Sequence, residues 1–351
     1  MYPTIGVCQT RLRRHVKCYN CLVTESAGIY IHIPFCQRKC TYCNFNTTDF
    51  DAGIVPAYTE AVAREIAHWG RVSSGLDGGS RVVRGVDSIY FGGGTPSIID
   101  ARHIDALIKA CRRHFDVSGA TEITIEVNPG SFARSKVEGW LAAGVNRASI
   151  GVQSFIDREL QALSRTHDAS AAVRTIDSLK EAGFSNISLD LIAGLPEQSL
   201  GDWRNNLSAA LKIRPEHLSL YLLEVKEGTQ LYSQLKRGTR PLPDDDLAAE
   251  MYRIISDETG KAGYEHYEIS NFARLDGSGA QISPYRSQHN MKYWTGAPFY
   301  GMGCGAHSYD GRGRWVNIKK TETYVAAVEA DGNGVAERTE LSDHDRAVEA
   351  L

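Results

Sequence analysis

Six short β-branched or apolar runs, at residues 29–33, 86–91, 122–127, 148–152, 187–192 and 218–223, recur along the chain with amphipathic stretches between them. This alternation limits the possible folds more than any other feature. Strands separated by helices cannot pair as tight hairpins, so they line up in parallel through right-handed crossovers. The intervening stretches place apolar residues at helical spacing: Ile54, Val55, Tyr58, Ala61, Val62 and Ile66 in one, and Ile104, Leu107, Ile108 and Cys111 in the next. Val173, Ile176 and Leu179 mark a third, and Trp203, Leu207 and Leu211 a fourth. The fold class is therefore α/β, and six such units can curl into a partial (β/α)6 barrel. Residues 73–80, with Gly75, Gly78 and Gly79, interrupt the first unit and read as a flexible surface loop.

The ends of the expected strands carry the chemistry. Gly92-Gly93-Gly94-Thr95-Pro96 follows the second, Glu126-Val127-Asn128-Pro129 closes the third, and Gly151-Val152-Gln153-Ser154 closes the fourth. Asp190 through Gly194-Leu195-Pro196 completes the fifth. In a parallel barrel these ends share one face, where active sites are built. A lone triple glycine would read as a turn; polar groups from successive strand ends converging on one mouth read as a ligand site. Glycines there let the backbone approach a ligand closely.

Directly after the first strand stands Cys36-Gln37-Arg38-Lys39-Cys40-Thr41-Tyr42-Cys43. Thiolates are the soft ligands that iron–sulfur clusters need. Three of them in one loop can hold three corners of a [4Fe–4S] cubane and leave one iron open. An open, Lewis-acidic iron can chelate the amino and carboxylate groups of S-adenosylmethionine (SAM). Electron transfer then cleaves the sulfonium and releases a 5′-deoxyadenosyl radical, which is the cofactor's own chemistry. The alternative is a zinc knuckle, which prefers four protein ligands; Cys18 or Cys21 could supply the fourth. That Cys18–Cys21 pair is otherwise a candidate auxiliary metal or redox site.

Composition narrows the setting. Of eight cysteines, five fall between positions 18 and 43, and no apolar secretory signal precedes them. This is the usage of a metal-binding protein in a reducing compartment, so a cytoplasmic location is expected. The 39 basic and 42 acidic side chains nearly balance, which gives no reason to expect nucleic acid as a partner. No apolar run approaches the roughly 20 residues of a membrane span, so an integral membrane protein is not expected. Residues 1–27 read as an extension: Arg11, Arg13, Arg14 and Lys17 precede the first acid, Glu25. An organellar targeting peptide and a dispensable, disordered arm both have that composition.

Tyr30-Ile31-His32-Ile33-Pro34-Phe35-Cys36 resembles the opening motif of the HemN/HemW branch of the radical SAM superfamily. The GGGTP, EVNP, GVQSF and LDLIAGLP segments occur in the matching order, and the similarity runs from about residue 28 to the end. The resemblance implies a TIM-type barrel over 28–262 and a HemN-like α+β C-terminal appendage over 263–351. The chain stops inside what reads as a helix begun near Ser342, so this appendage is expected to be incomplete. Carried over by motif, Cys36, Cys40 and Cys43 ligate the [4Fe–4S] cluster. Tyr30 packs by the cluster and SAM, and Tyr42 lies on the adenine side. Gly93, Gly94 and Thr95 line the methionyl end, while Glu126, Gln153, Arg165 and Asp190 match polar ligand-contacting positions. From the residues alone, Arg165 could be a solvated helix charge and Asp190 a turn acid.

HemN is the oxygen-independent coproporphyrinogen III oxidase, whose motif resembles CxxxCxxCxC. Here Phe45 stands where the last cysteine would be, and Cys43-Asn44-Phe45 is similar to the HemW form. The segments from Tyr267 to Ala273 and from Gly303 to His307 are also HemW-like. HemW proteins are haem chaperones, so the resemblance implies a module that binds haem and passes it to an acceptor protein. A flavodoxin or ferredoxin is the expected kind of electron donor. Radical decarboxylation of coproporphyrinogen III is the alternative, and a SAM enzyme for an unrelated small molecule is the third reading. His289-Asn290-Met291-Lys292-Tyr293-Trp294 bears on haem directly: imidazole is an axial ligand and the aromatics can cover a porphyrin face. The residues alone also allow His289 to be a core side chain with satisfied nitrogens. His32 reads as structural, His307 and Cys304 are possible second haem contacts, and Cys111 reads as a small buried hydrophobe.

Overall fold

The computed structural model describes residues 26–73, 83–130, 133–342 and 344–345. The N-terminal arm, the Cys18–Cys21 pair, the glycines of the expected loop after Ser73 and most of the helix expected from Ser342 lie outside the described residues.

β1 (Ser26–Ile33), β2 (Phe35–Cys36) and β3 (Thr48–Asp49) lead into α1 (Val55–Ser73). β4 (Gly85–Gly93), α2 (Ala101–His114), β5 (Asp116–Val127), α3 (Arg134–Ala143) and β6 (Arg147–Gln153) follow. Next come α4 (Asp157–Ala162), α5 (Ala169–Ala182), β7 (Ile187–Ala193), α6 (Leu200–Ile213) and β8 (His217–Leu222). After α7 (Gln230–Lys236) and α8 (Asp245–Lys261) the chain forms β9 (Tyr264–Glu268), β10 (Asn271–Arg274) and α9 (Gln288–Thr295). It closes with β11 (Phe299–Met302), β12 (His307–Tyr309), β13 (Gly313–Asn317), α10 (Thr321–Asp331) and β14 (Val335–Glu340).

The six expected strands are β1 and β4 to β8, adjacent and parallel in that order. Strand periodicity divides their side chains between two faces. Ile29, Ile31, Ile33, Ile125, Ile150 and Leu189 are fully buried on the outer, helix-covered face. Each is worth roughly 2 kcal/mol in apolar burial. The alternate residues meet one another inside the curl: the Tyr90 hydroxyl donates to Glu126 at 3.0 Å, Ser149 to Asp190 at 3.3 Å, and Ser188 lies 2.8 Å from the His217 ring. The barrel therefore has an apolar outer skin and a polar lumen. Local signals agree with this order. A reciprocal Ser199–Asp202 capping box starts α6, and Gly144 and Gly183 end α3 and α5 in the left-handed conformation.

The region after 262 extends the parallel sheet at both of its edges. β10 and β9 add antiparallel to β8, while β11 adds parallel to β1 and carries β12, β13 and β14 outward. An open six-stranded sheet leaves unpaired N–H and C=O groups at both rims, and this region covers both. Its strands are short and aromatic, which blurred their period. Helix α3 was also not expected; Gly139 and neighbouring charges interrupt the pattern set by its buried Val137 and Trp140.

Candidate functional site

A cleft of 520 Å³ opens at the C-terminal ends of the parallel strands. It brings together Cys36, Cys40, Cys43, Tyr42, Gly93, Gly94, Thr95, Glu126, Gln153, Arg165 and Asp190. Those residues come from strands and the loops that follow them, spread over more than 150 positions of sequence, and parallel strand order delivers them to one mouth.

The cysteine loop leaves β1 through β2 and is pinned at several points. The Thr41 N–H donates to Leu163 O at 3.1 Å, the Leu231 N–H donates to Thr41 O at 2.8 Å, and β2 pairs with β3 to close the loop. Cys36 Sγ lies 3.5 Å from Thr95 Oγ1, and Arg165 Nη1 donates to Cys40 Sγ at 3.6 Å. Burial, and then neighbouring thiols, raise the pKa of Cys36 and Cys43. A bound cation reverses that penalty, because a coordinating thiol is deprotonated outright.

The triple glycine has a packing reason beyond ligand approach. Gly93 has φ +115°, and a Cβ there would meet the His32 ring at 2.5 Å. A Cβ on Gly94 would lie 2.7 Å from the backbone of Pro34. The turn therefore passes against the end of β1 closely enough to set Thr95 beside Cys36.

Arg165 is an anchored cation rather than a solvated helix charge. It donates to Gly151 O at 2.6 Å and also to Asn128 Oδ1, and its buried Nε has no protein partner among the described residues. Gln153, with φ +66°, takes a conformation uncommon for a non-glycine residue. Asp190 belongs to β7 and faces the lumen, so it is not a turn acid.

Glu126 and Asp190 are a strained pair. Burial, then the charge of Asp190, pushes Glu126 up to about 7; the Tyr90 hydroxyl, the Gly93 N–H and Arg147 oppose the shift. Burial pushes Asp190 up to about 6, opposed by Ser219, Arg147, Ser149 and Arg165. Both values lie above those of the unfolded chain, so the native protein binds more protons over that interval. The stability these groups permit is complete below the unfolded values and declines as pH rises through about 6 and then about 7. Glu126→Gln still accepts from the Gly93 N–H and can donate to the Tyr90 hydroxyl. It is expected to raise the urea midpoint of the ligand-free protein above pH 7 and flatten its pH dependence; an unchanged pH profile would contradict the assignment.

Tyr30 and His289 are not in the cleft. Tyr30 lies deeper in the lumen, its ring centroid 6.2 Å from Tyr90 and its hydroxyl 3.2 Å from His32 Nδ1. His289 is 1% exposed, at the foot of the barrel. Its Nδ1 is 3.1 Å from Ser88 Oγ and its Nε2 3.0 Å from Tyr293 Oη, and burial lowers its pKa to about 3. In this placement both ring nitrogens face hydroxyl partners, so ligation of a metal would require those contacts to open. Helix α9 seals the foot: its first N–H groups donate to Glu122, and Lys292 Nζ donates to Ser26 O and to Asp87. Cys304 is buried against Tyr58, His307 is exposed outside the cleft, and Cys111 is fully buried.

Sequence reasoning missed the opposite wall of the cleft: Ile192 at the end of β7, and Tyr221, Leu222 and Leu223 at the end of β8. The signal was there, since these residues stand at a strand end in step with the others. Ser149 was missed as well, because it looks like any small strand residue until Asp190 is placed beside it.

Residues 30–210 match the model of the radical SAM superfamily. A Bos taurus protein named "Radical S-adenosyl methionine domain-containing protein 1, mitochondrial" is 36% identical over 336 residues, 93% of this chain and 72% of that one. A Lactococcus lactis protein named "Heme chaperone HemW" is 32% identical over 306 residues, 87% of this chain and 76% of that one. The chain belongs to the HemW family of the radical SAM superfamily. The structure of Escherichia coli coproporphyrinogen III oxidase (HemN) matches with a TM-score of 0.77 at 24% identity, covering 96% of this chain and 77% of that one. At that identity the match establishes the fold. Membership in the HemW family brings a [4Fe–4S] cluster and SAM, and the cleft suits both. Three thiols line one cavity, a buried guanidinium nitrogen there lacks a partner, and two carboxylates favour the positive charges of a sulfonium and an ammonium group. Among the described residues, no three His, Cys, Asp or Glu side chains are grouped to hold a single metal ion. Among the described residues, no helix is long and apolar enough to cross a membrane.

Proposed function

We propose that this HemW-family protein is a haem chaperone that binds haem and passes it to an acceptor protein. The observation that carries the proposal is its kinship, over most of its length, with proteins named as haem chaperones. When bound, the cluster and SAM supply one-electron reductive cleavage of a sulfonium. Cys36, Cys40 and Cys43 would hold the cluster. Thr95 and Arg165 hydrogen-bond the first two sulfurs, and Glu126 and Asp190 would receive the cationic end of SAM. One feature favours this reading over radical decarboxylation of coproporphyrinogen III: Phe45, 62% exposed at the lip, replaces the extra cysteine of the oxidase motif. The tetrapyrrole is proposed to bind away from the cleft.

That other place is proposed to be α9, where Tyr293 and Trp294 are 44% and 42% exposed and can cover a porphyrin face. His289 would ligate iron only after α9 tilts and the Ser88 and Tyr293 contacts break. The cytoplasmic assignment stays part of the proposal, with mitochondrial targeting as the alternative suggested by the name of the bovine relative. A flavodoxin- or ferredoxin-like protein is the proposed reductant.

Haem titration of anaerobically reconstituted protein is expected to give a one-to-one complex with a Soret band. His289→Ala should weaken it by about tenfold, the value of one lost ligand interaction near 1.4 kcal/mol. An unchanged spectrum and affinity would remove His289 from the site. Conversion of coproporphyrinogen III to protoporphyrinogen IX with SAM and a reductant would overturn the chaperone reading.

A further inference from the structure

Beyond the three thiols, the cysteine loop is fastened to the rest of the molecule at Asn46. The Asn46 side-chain nitrogen lies 3.1 Å from Cys304 O and 3.0 Å from Lys319 O. Both partners are carbonyls, which only accept, so the NH2 group must face them and both of its hydrogens are used. The main-chain carbonyl of Asn46 in turn lies 2.8 Å from His32 Nε2. That ring nitrogen must carry the proton, which leaves Nδ1 to accept from the Tyr30 hydroxyl. One residue, just past Cys43, thus ties the loop to β1 and to two segments of the C-terminal region. The turn it grips is built for the contact: Gly305 has φ +69°, and a Cβ there would lie 2.6 Å from Asn46 Nδ2.

We infer that Asn46 is a positioning residue for the cluster, and that the Gly303–Gly305 turn is the clasp through which the C-terminal region holds the cysteine loop in ligating shape. The sequence signal for this pairing is slight, because Asn46 and Cys304 are 258 residues apart. The inference rests on the family's cluster alone and is independent of where haem binds. Outer-shell contacts fix the orientation of metal ligands, and their loss commonly costs about 10- to 100-fold in retention of the metal.

The test uses the full chain, reconstituted anaerobically, in wild type and in Asn46→Ala, Asn46→Asp and Ile255→Val forms. Asn46→Asp keeps the size of the side chain and removes the donor. Ile255→Val trims a fully buried residue of α8, away from the loop, and controls for general loss of stability. Iron and sulfide content, and the decay of visible absorbance under a chelator, are read beside the thermal midpoint. Both Asn46 variants are expected to lose the cluster about tenfold faster than wild type, and the Ile255 variant at the wild-type rate. Wild-type retention in either Asn46 variant would overturn the inference. So would equally fast loss in the Ile255 variant, which would make the effect one of stability.

Discussion

Replacing Cys40 by alanine is expected to leave a folded chain that holds no [4Fe–4S] cluster and no longer binds SAM through one. Cys36, Cys40 and Cys43 are the described cysteines that line the cleft. Cys111 is fully buried on the inner face of α2, where burial pushes its thiol up to about 12, and the buried Cys304 sulfur faces Tyr58 and Thr321. Neither can take the place of a lost ligand without unfolding its surroundings. The cost to the fold is small, because Cys40 is only half-buried and the side chain lost is short. A change of about 1 kcal/mol or less is expected. Iron and sulfide analysis with visible absorbance checks the first part and urea denaturation the second. A full cluster in Cys40→Ala would mean that the ligands have been misassigned.

Glu65→Leu is expected to act on the fold instead, destabilising the molecule without removing a thiol. Glu65 lies on α1, is 0% exposed, and receives four hydrogen bonds. They come from the Gly303 N–H at 2.8 Å, Asn317 Nδ2 at 2.8 Å, the Tyr324 hydroxyl at 2.7 Å and the Gly334 N–H at 3.2 Å. All four donors belong to the region that follows the parallel strands, so one carboxylate ties that region to α1. Leucine fills the volume but leaves four buried donors without a partner. At about 1–3 kcal/mol for each unsatisfied group, partly relieved by relaxation, a loss of about 4 kcal/mol is expected. The urea midpoint should fall accordingly. A change below about 1 kcal/mol would show that water or a rearranged turn satisfies these donors.

What could be read in advance divides along physical lines. The six parallel strands were legible because each is an apolar run bounded by turn residues, a property local to a few positions. The three thiols and the polar strand ends were legible for a related reason: parallel order sends every C-terminal end to one face, whatever the details of curvature. The attachment of residues 264–340 was not legible. Its strands are short, and which sheet edge each joins depends on edges that exist only once the barrel has formed. His289 shows the same division: its sequence neighbours suggest a haem ligand, but packing buries it with both nitrogens engaged.

Alone, the sequence determined the α/β class, the parallel strands and which cysteines and polar strand ends could meet at one mouth, because side-chain period and ligand chemistry act over short stretches of chain. Tertiary structure alone decided which donors are buried, which carboxylates repel each other and which distant turn grips the cysteine loop. Burial and charge–charge distance are properties of space between segments, and the one-dimensional order of residues does not specify them.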